Sequence, residues 1–126
     1  MVVGLGTDLI EVHRIEQSIQ RFGDRFLTRI FTPREIAYCM RKQKSAAESF
    51  AARFAAKEAG AKALGTGISR GVTWLEIEVT RELTGKPTLA LHGRAAERAQ
   101  SLGVRHASIS LTHTADIALV VVVLES

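Results

Sequence analysis

The stretch Phe54-Ala55-Ala56-Lys57-Glu58-Ala59-Gly60-Ala61-Lys62 decides how this chain folds. It lies within an alanine-rich run from Ser45 to Leu64 that contains no proline. Because alanine has the highest helix propensity, the run predicts one helix. Ser45 as the N-cap, with Glu48 three residues later, predicts a capping box at its start. The helix is expected to end at Gly65.

One stripe of this helix is expected to be buried, and it consists of Phe50, Phe54, Ala61 and Leu64. Glu58 and Lys62 fall together at the edge of that stripe, one turn apart. A carboxylate beside an ammonium group can hold a metal ion and a phosphate oxygen. The same spacing is typical of an ordinary surface pair that adds about 0.2–0.5 kcal/mol to helix stability. Spacing alone favours the ordinary pair and leaves both interpretations open.

A second informative segment runs from Val2 to Val12, where apolar and β-branched residues predict a strand. Because side chains alternate along a strand, Gly4, Gly6 and Asp8 share one face. The two missing side chains are expected to leave room for a bulky group to reach the Asp8 carboxylate. In the alternative interpretation, Asp8 ends the strand and caps the following element. The sequence contains no complete Rossmann fingerprint, Walker motif or cysteine cluster that would indicate another chemistry.

Four motifs occur in a fixed order along the chain: Gly6-Thr7-Asp8, Arg53 to Ala59 with Lys62, Gly65-Thr66-Gly67, and Ser110-Leu111-Thr112-His113-Thr114. In this order they resemble the bacterial holo-acyl-carrier-protein synthase family of 4′-phosphopantetheinyl transferases, over nearly the whole chain. The pairing of Gly-x-Asp with Lys-Glu-Ala-x-x-Lys is specific, whereas either half alone is weak. The resemblance implies a 4′-phosphopantetheinyl transferase fold in a single domain, residues 1–126, that assembles as a homotrimer.

The resemblance also implies a reaction, in which a carrier-protein serine attacks the pyrophosphate of coenzyme A and 3′,5′-ADP leaves. Anionic phosphates repel a nucleophile, and Mg²⁺ is typically held by one or two carboxylates plus phosphate oxygens. Asp8 and Glu58 are therefore the expected ligands of Mg²⁺, with Mn²⁺ as the alternative metal. One of the two carboxylates, directly or through a metal-bound water, is expected to take the serine proton. Lys62 is expected to stabilise the leaving phosphate.

Further contacts with coenzyme A are expected from the same helix and its end. Arg53 and Lys57 are the next cations on the helix and are candidates to hold the nucleotide phosphates. A surface ion pair is an equally good interpretation of each of these two residues. Gly65 permits close approach of the backbone to the coenzyme.

The closing motif supplies the last expected coenzyme contacts, Thr112 and His113. Members of the family often carry a histidine at the position where this chain has Ser108. His106 lies two residues earlier, on the same face of a regular strand. Either Ser108 or His106 is therefore expected to contact the 3′-phosphate of the coenzyme.

Positive charge is concentrated between His13 and Lys44, where eight basic residues face three acidic ones. The excess of five exceeds the net charge of +4 on the whole chain. The apolar residues of the first half of this segment recur at helical spacing and are expected in the core: Ile15, Ile19, Phe22 and Phe26. The basic residues Arg14, Arg21 and Arg25 form an expected exposed ridge, which a helix break at Gly23-Asp24 interrupts.

A basic ridge suits a solvated surface, a nucleic acid or an acidic protein. Nucleic acid is the second choice, because helical spacing assigns the phenylalanines to the core rather than to base stacking. The resemblance favours an acidic acyl carrier protein, with Phe26 adding an apolar contact. The non-catalytic alternative is a basic adaptor that does no chemistry, and it predicts no role for Asp8 and Glu58.

The remaining pattern predicts an α+β fold with an antiparallel sheet. Thr32 and Glu35 predict a capping box that opens a helix through about Arg41. Further expected elements are a strand at 74–79, a strand at 88–91, a helix at 94–102 and a hairpin of strands 107–111 and 117–124. The last strand is apolar on both faces, so both faces are expected to be covered.

Composition agrees with one globular domain, since 46% of the residues are hydrophobic and 24% are charged. The single cysteine, Cys39, cannot form an internal disulfide and is expected to be structural. With no signal peptide recognised, the sequence predicts a cytoplasmic protein. The longest apolar run, 117–124, is too short for a bilayer, so no membrane partner is expected.

Overall fold

Five helices and five strands follow one another along the 126 residues that this computed structural model describes. In chain order they are β1 (Val2–Glu11), α1 (Val12–Phe22), α2 (Asp24–Ile30), α3 (Pro33–Met40), α4 (Ala46–Ala63), β2 (Ile77–Arg81), β3 (Pro87–Leu91), α5 (Gly93–Ser101), β4 (His106–His113) and β5 (Ile117–Glu125). The predicted α+β class is confirmed. None of the helices combines the length and the apolar character that crossing a membrane requires.

The strands form two antiparallel sheets rather than one. The larger sheet has the order β1-β5-β4, so Val120 of the central strand lies between Asp8 and Leu111. The smaller sheet pairs β2 with β3. Part of the predicted strand at 74–79 is instead a short 3₁₀ turn, Trp74–Glu76, because the Glu76 carboxylate accepts from the backbone and hydroxyl of Thr73.

Helix α4 lies at the centre of the molecule and is buried on almost every side, not along one stripe as expected. Its first turns place Phe50 in a cluster with residues of α1 to α3, including Ile15 and Phe31. Its later turns carry alanines that pack against both sheets, including Val120 and Ile77. Small side chains let strands and helices approach α4 from several directions, so this helix fixes their relative positions.

The glycines of β1 lie directly against α4. A Cβ atom at Gly6 would collide with the carbonyl oxygen of Ala59, and one at Gly4 with that of Ala63. The space beside these two glycines is therefore filled by the helix backbone, and the prediction that their missing side chains leave room for a bulky group is wrong. The glycines instead allow β1 and α4 to meet backbone to backbone.

Helix boundaries agree with the sequence at two of three predicted caps. Thr32 and Glu35 form the expected capping box, with the Thr32 backbone donating to Glu35 Oε1 at 2.9 Å. Gly65 follows the end of α4 with φ of +79°, as a helix-ending glycine does. The capping box predicted at Ser45 is wrong, because a 3₁₀ turn runs directly into α4 and the Ser45 hydroxyl donates to the Lys42 carbonyl.

The basic segment folds as two helices that break at Gly23, which has φ of +56°. The predicted ridge is exposed along its length: Arg14, Arg21 and Arg25. Phe22, predicted in the core, is instead 49% exposed at the last residue of α1, and its ring centroid lies 5.1 Å from the Arg21 guanidinium. Cys39 is buried, and burial raises the pKa of its thiol, which fits a structural cysteine.

Candidate active site

Two carboxylates from distant parts of the chain line one cleft of about 300 Å³. Asp8 comes from β1 and Glu58 from α4, and the cleft also contacts residues of α1 and α2. The glycines of β1 bring these two elements together, because they let the strand lie against the helix backbone. The fold thus brings Asp8 and Glu58 to one cleft, although in the sequence only the order of the motifs suggested that they belong together.

Lys62 pairs with Asp8 and not with Glu58. Its Nζ donates to Asp8 Oδ1 and to the Thr7 carbonyl, each at 3.0 Å. The Lys62 side chain is 52% exposed and that of Asp8 is 17% exposed. The ordinary Glu58–Lys62 helix pair is therefore absent, and Lys62 instead lies beside Asp8, which lines the same cleft as Glu58.

Trp74 donates a hydrogen bond from its indole Nε1 to Glu58 Oε1 at 3.1 Å. Its ring stacks on Phe54, with the centroids 6.3 Å apart, and the Arg29 guanidinium lies 5.9 Å from the ring centroid. Trp74 was not among the predicted site residues, although it is the only tryptophan of the chain. The signal is not local, because Trp74 follows Glu58 by 16 residues across a loop.

The oxygen donors of Asp8 and Glu58 fit a hard cation such as Mg²⁺ better than Zn²⁺, which prefers nitrogen and sulfur. Nowhere in the molecule do three or more His, Cys, Asp or Glu side chains gather as a ligand set. Two carboxylates suffice for Mg²⁺, because this ion keeps several waters and takes its other ligands from substrate phosphates.

A second cavity, of about 430 Å³, is lined by Arg53 and His113. Arg53 is only 2% exposed, and its Nη1 donates to Ser49 Oγ at 3.2 Å. The Nε of Arg53 is buried and has no hydrogen-bond partner. A buried N–H without an acceptor is costly, so this atom marks a place that suits an anion.

Cations crowd the wall of this second cavity around the ring of Tyr38. The charged groups of Arg53, Arg81 and Lys42 lie 4.0, 4.7 and 4.8 Å from the ring centroid. Burial alone would raise the pKa of Tyr38, but the Lys42 hydrogen bond and the charges of Arg81, Lys42 and Arg53 outweigh it and lower the pKa. Tyr38 and Arg81 were not among the predicted site residues, because they lie in segments with no motif.

Lys57 is fully buried in the core and faces neither cavity. Its Nζ donates to Glu35 Oε1 at 2.7 Å and to the carbonyls of Trp74 and Ile77 at 3.0 and 2.8 Å. All three N–H groups of the ammonium are used, so none remains for a phosphate. The prediction that Lys57 contacts coenzyme A is therefore wrong.

The other predicted coenzyme contacts fall into separate places. His113 Nδ1 lies 3.0 Å from Glu48 Oε1 at the rim of the second cavity. Ser108 and Thr112 are exposed on the outward face of β4, and His106 is exposed on the same face. Gly65 lies one turn beyond Lys62, just past the end of α4, whereas Arg53 lies near the middle of that helix. The two cavities share no lining residue, so one subunit does not bring all predicted contacts together.

Comparison with known proteins gives a consistent result. A family model described as the 4′-phosphopantetheinyl transferase superfamily matches residues 4–121. The holo-[acyl-carrier-protein] synthase of Koribacter versatilis is 58% identical over 125 residues, covering 99% of each chain.

Solved structures agree with the sequence comparison. The crystal structure of holo-[acyl-carrier-protein] synthase from Neisseria meningitidis matches with a TM-score of 0.90 and 35% identity, covering all of both chains. That of the Helicobacter pylori enzyme, in complex with coenzyme A, matches with a TM-score of 0.84 and 34% identity, covering 96% of this chain and 99% of the other. The resemblance based on the four motifs is thus confirmed, and the chain belongs to the 4′-phosphopantetheinyl transferase superfamily.

Proposed function

We propose that this protein transfers the 4′-phosphopantetheine group of coenzyme A to a serine of an apo acyl carrier protein in a Mg²⁺-dependent reaction. The products are the holo carrier protein and adenosine 3′,5′-bisphosphate. The observation that carries the proposal is the meeting of Asp8 and Glu58 in one cleft. Relatives named for this activity align over nearly the full length of the chain. The free, buried Cys39 suits a reducing cytoplasm, where we place the reaction.

The chemistry divides among three side chains. Asp8 and Glu58 would hold Mg²⁺, which when bound neutralises charge on a pyrophosphate and its leaving group. One of the two carboxylates would accept the proton of the attacking serine hydroxyl. Each has one oxygen engaged, Asp8 with Lys62 and Glu58 with Trp74, and one oxygen that makes no hydrogen bond within the chain. Lys62 is half exposed and so has the freedom to turn toward the departing phosphate.

The second cavity supports the assignment of Arg53 and His113 to coenzyme A. The unpartnered Nε of Arg53 is a donor for a phosphate oxygen, and Arg81 and Lys42 add positive charge beside it. Guanidinium groups suit phosphates because several N–H donors lie in one plane. Ser108 and Thr112 present hydroxyl groups on the outward face of β4, where they would complete the contacts.

In a homotrimer, the carboxylate cleft of one subunit and the second cavity of its neighbour could bind the same coenzyme molecule. Arg53 and Glu58 are five residues apart on α4, which places them about 140° apart around the helix. If one subunit supplied the carboxylates and its neighbour supplied Arg53, a single coenzyme would contact both groups. The outward face of the larger sheet offers the contact surface, since Leu5, Leu9 and Leu119 are 62%, 62% and 40% exposed there. Such an apolar face indicates an interface.

Leu119→Glu is expected to separate the subunits, because it places a carboxylate at the centre of this outward face. Light scattering should then give the mass of one 13.7 kDa chain in place of three, with transfer activity lost as the shared sites come apart. The matched control is Leu83→Glu, since Leu83 is fully exposed in the β2–β3 turn. A wild-type chain that is monomeric and fully active at nanomolar concentration would contradict the shared site.

The carrier protein is expected to dock on the predicted basic ridge. Arg14 and Phe26 line the same cleft as Asp8 and Glu58, so a protein bound there would bring its serine near the carboxylates. Arg25 and Phe26 share a neighbouring shallow pocket with Phe22, which adds the exposed apolar surface that the sequence had assigned to the core. The surface formed by the ridge and the two phenylalanines therefore suits an acidic helix with an apolar residue.

Reversing the charge at Arg14 and Arg21 together should raise KM for the carrier protein on the order of 10-fold, because several weak ion pairs act together. KM for coenzyme A should stay unchanged, and the salt dependence of carrier binding should flatten. The control variant reverses Arg70 and Arg105, which are exposed and lie off the ridge, and so has the same net charge. If KM for coenzyme A rose instead, the basic ridge would bind the nucleotide part of coenzyme A and not the carrier protein.

The proposed function is tested by incubating the protein with an apo acyl carrier protein, coenzyme A and Mg²⁺. Mass spectrometry should show the carrier gaining one phosphopantetheine, and chromatography should show adenosine 3′,5′-bisphosphate in equal amount. A carrier protein with its acceptor serine replaced by alanine is the control. An unchanged carrier mass, together with tight binding to the carrier or to duplex DNA, would favour the basic adaptor.

A further inference from the structure

Trp74 is held from several directions at the edge of the carboxylate cleft. Its backbone carbonyl accepts from the buried Lys57 ammonium at 3.0 Å. The turn that carries it is closed by the Thr73–Glu76 capping box, and its ring packs against Phe54 and the Arg29 guanidinium. The indole therefore has little freedom to move, and its N–H has a fixed direction.

That fixed N–H is directed at one oxygen of Glu58. The Nε1–Oε1 distance of 3.1 Å is that of an ordinary N–H···O hydrogen bond, and a bond to a carboxylate is stronger than one between neutral groups. Glu58 Oε2 makes no hydrogen bond within the chain. A glutamate has three side-chain torsions, so a half-buried glutamate without such a partner would sample several positions.

We infer that Trp74 is a positioning residue for Glu58, whose N–H fixes Oε1 so that Oε2 remains for the metal ion. The inference rests on the proposed function, because it takes Glu58 as a metal ligand. Hydrogen-bond partners of ligating carboxylates orient the ligand, and their loss typically weakens metal affinity by 10- to 100-fold. A phenylalanine would fill the same space and stack on Phe54 equally well, so the indole N–H is the group that matters.

The test is Mn²⁺ binding to the full-length protein, with MnCl₂ alone as the probe and free Mn²⁺ measured by electron paramagnetic resonance. Trp74→Phe keeps an aromatic ring and removes only the donor, and its dissociation constant for Mn²⁺ should rise about 10- to 100-fold. In transfer assays, the Mg²⁺ concentration for half-maximal rate should rise by a similar factor, while kcat at saturating Mg²⁺ stays near the wild-type value. Arg29→Met is the matched control, since it removes the cation beside the ring, leaves the N–H, and should leave Mn²⁺ affinity unchanged.

The wild-type chain gives a second, independent measurement. Because Trp74 is its only tryptophan, Mn²⁺ bound at Glu58 should quench the intrinsic fluorescence, and Glu58→Gln should abolish the quenching. If Trp74→Phe loses its native circular dichroism spectrum, benzothienylalanine at position 74 keeps the double ring and replaces N–H by sulfur. An unchanged Mn²⁺ dissociation constant in the folded position-74 variant would overturn the inference about Trp74 and leave the proposed function untouched. If Glu58→Gln also binds Mn²⁺ normally, the metal assignment in the proposed function is wrong.

Discussion

Asp8→Asn and Glu58→Gln are each expected to lower kcat for phosphopantetheine transfer by about 10²- to 10³-fold, the loss typical of removing one electrostatic group from a reacting centre. Both substitutions keep the size of the side chain and remove its charge. The two residues lie on β1 and α4 and line one cleft, so neither alone builds the site. The measurement is kcat at saturating Mg²⁺, coenzyme A and carrier protein.

The control for these variants is Glu97→Gln, which neutralises an exposed carboxylate on α5 away from both cavities. All three variants should keep the wild-type circular dichroism spectrum, because Asp8 and Glu58 are not in the apolar core. Mn²⁺ binding should fall for Asp8→Asn and Glu58→Gln and stay normal for the control. Retained turnover in either cleft variant would remove that residue from the metal site.

The second large effect is on stability. Lys57→Met is expected to lower the free energy of unfolding by about 3–5 kcal/mol, because it leaves the buried Glu35 carboxylate without its cation. The total free energy of unfolding of a domain of this size is about 5–15 kcal/mol. The midpoint of thermal unfolding should therefore fall by roughly 10–20 °C. Burial lowers the pKa of Lys57, and the Glu35 carboxylate opposes this shift, so each charge depends on the other.

Chemical denaturation of two further variants distinguishes the effect of breaking the Glu35–Lys57 ion pair from the effect of losing side-chain packing. Lys44→Met removes an exposed lysine and should change the unfolding free energy by less than about 0.5 kcal/mol. The double variant Glu35→Gln/Lys57→Met should be more stable than Lys57→Met, since it leaves no isolated charge. The neutral amide at position 35 would accept from the Val79 backbone less strongly than the Glu35 carboxylate does, so recovery should be partial. If Lys57→Met had normal stability but bound coenzyme A weakly, Lys57 would contact the coenzyme phosphates, as first predicted.

The motifs and the helix signals were enough to predict the family, the fold class and most elements. They succeeded where the information is local, as at the Thr32–Glu35 capping box and the break at Gly23. They failed where the role of a side chain depends on a residue far away in the sequence. Nothing near Lys57 in sequence indicates that its ammonium meets Glu35, which lies 22 residues earlier on another helix.

The candidate site was predicted in its identity but not in its arrangement. Motif order paired Asp8 with Glu58, yet the partner of Lys62 proved to be Asp8 on β1 rather than its neighbour on the helix. Trp74 and Tyr38 were missed because their roles arise from packing between elements, which spacing along one element cannot reveal. The distribution of coenzyme contacts over two cavities likewise becomes visible only when the face of each residue on α4 is known.

The backbone contact between β1 and α4 has a consequence for how this protein tolerates change. The separation of the two carboxylates is set by main-chain atoms, since Gly4 and Gly6 lie against the carbonyls of Ala63 and Ala59. A comprehensive scan of substitutions would therefore rank two residues that touch no substrate as intolerant as Asp8 itself. Side chains that line the cleft without joining the subunit face, such as Ser18, would tolerate far more variety. Natural divergence and laboratory selection can thus alter partner preference around a reaction centre whose dimensions stay constant.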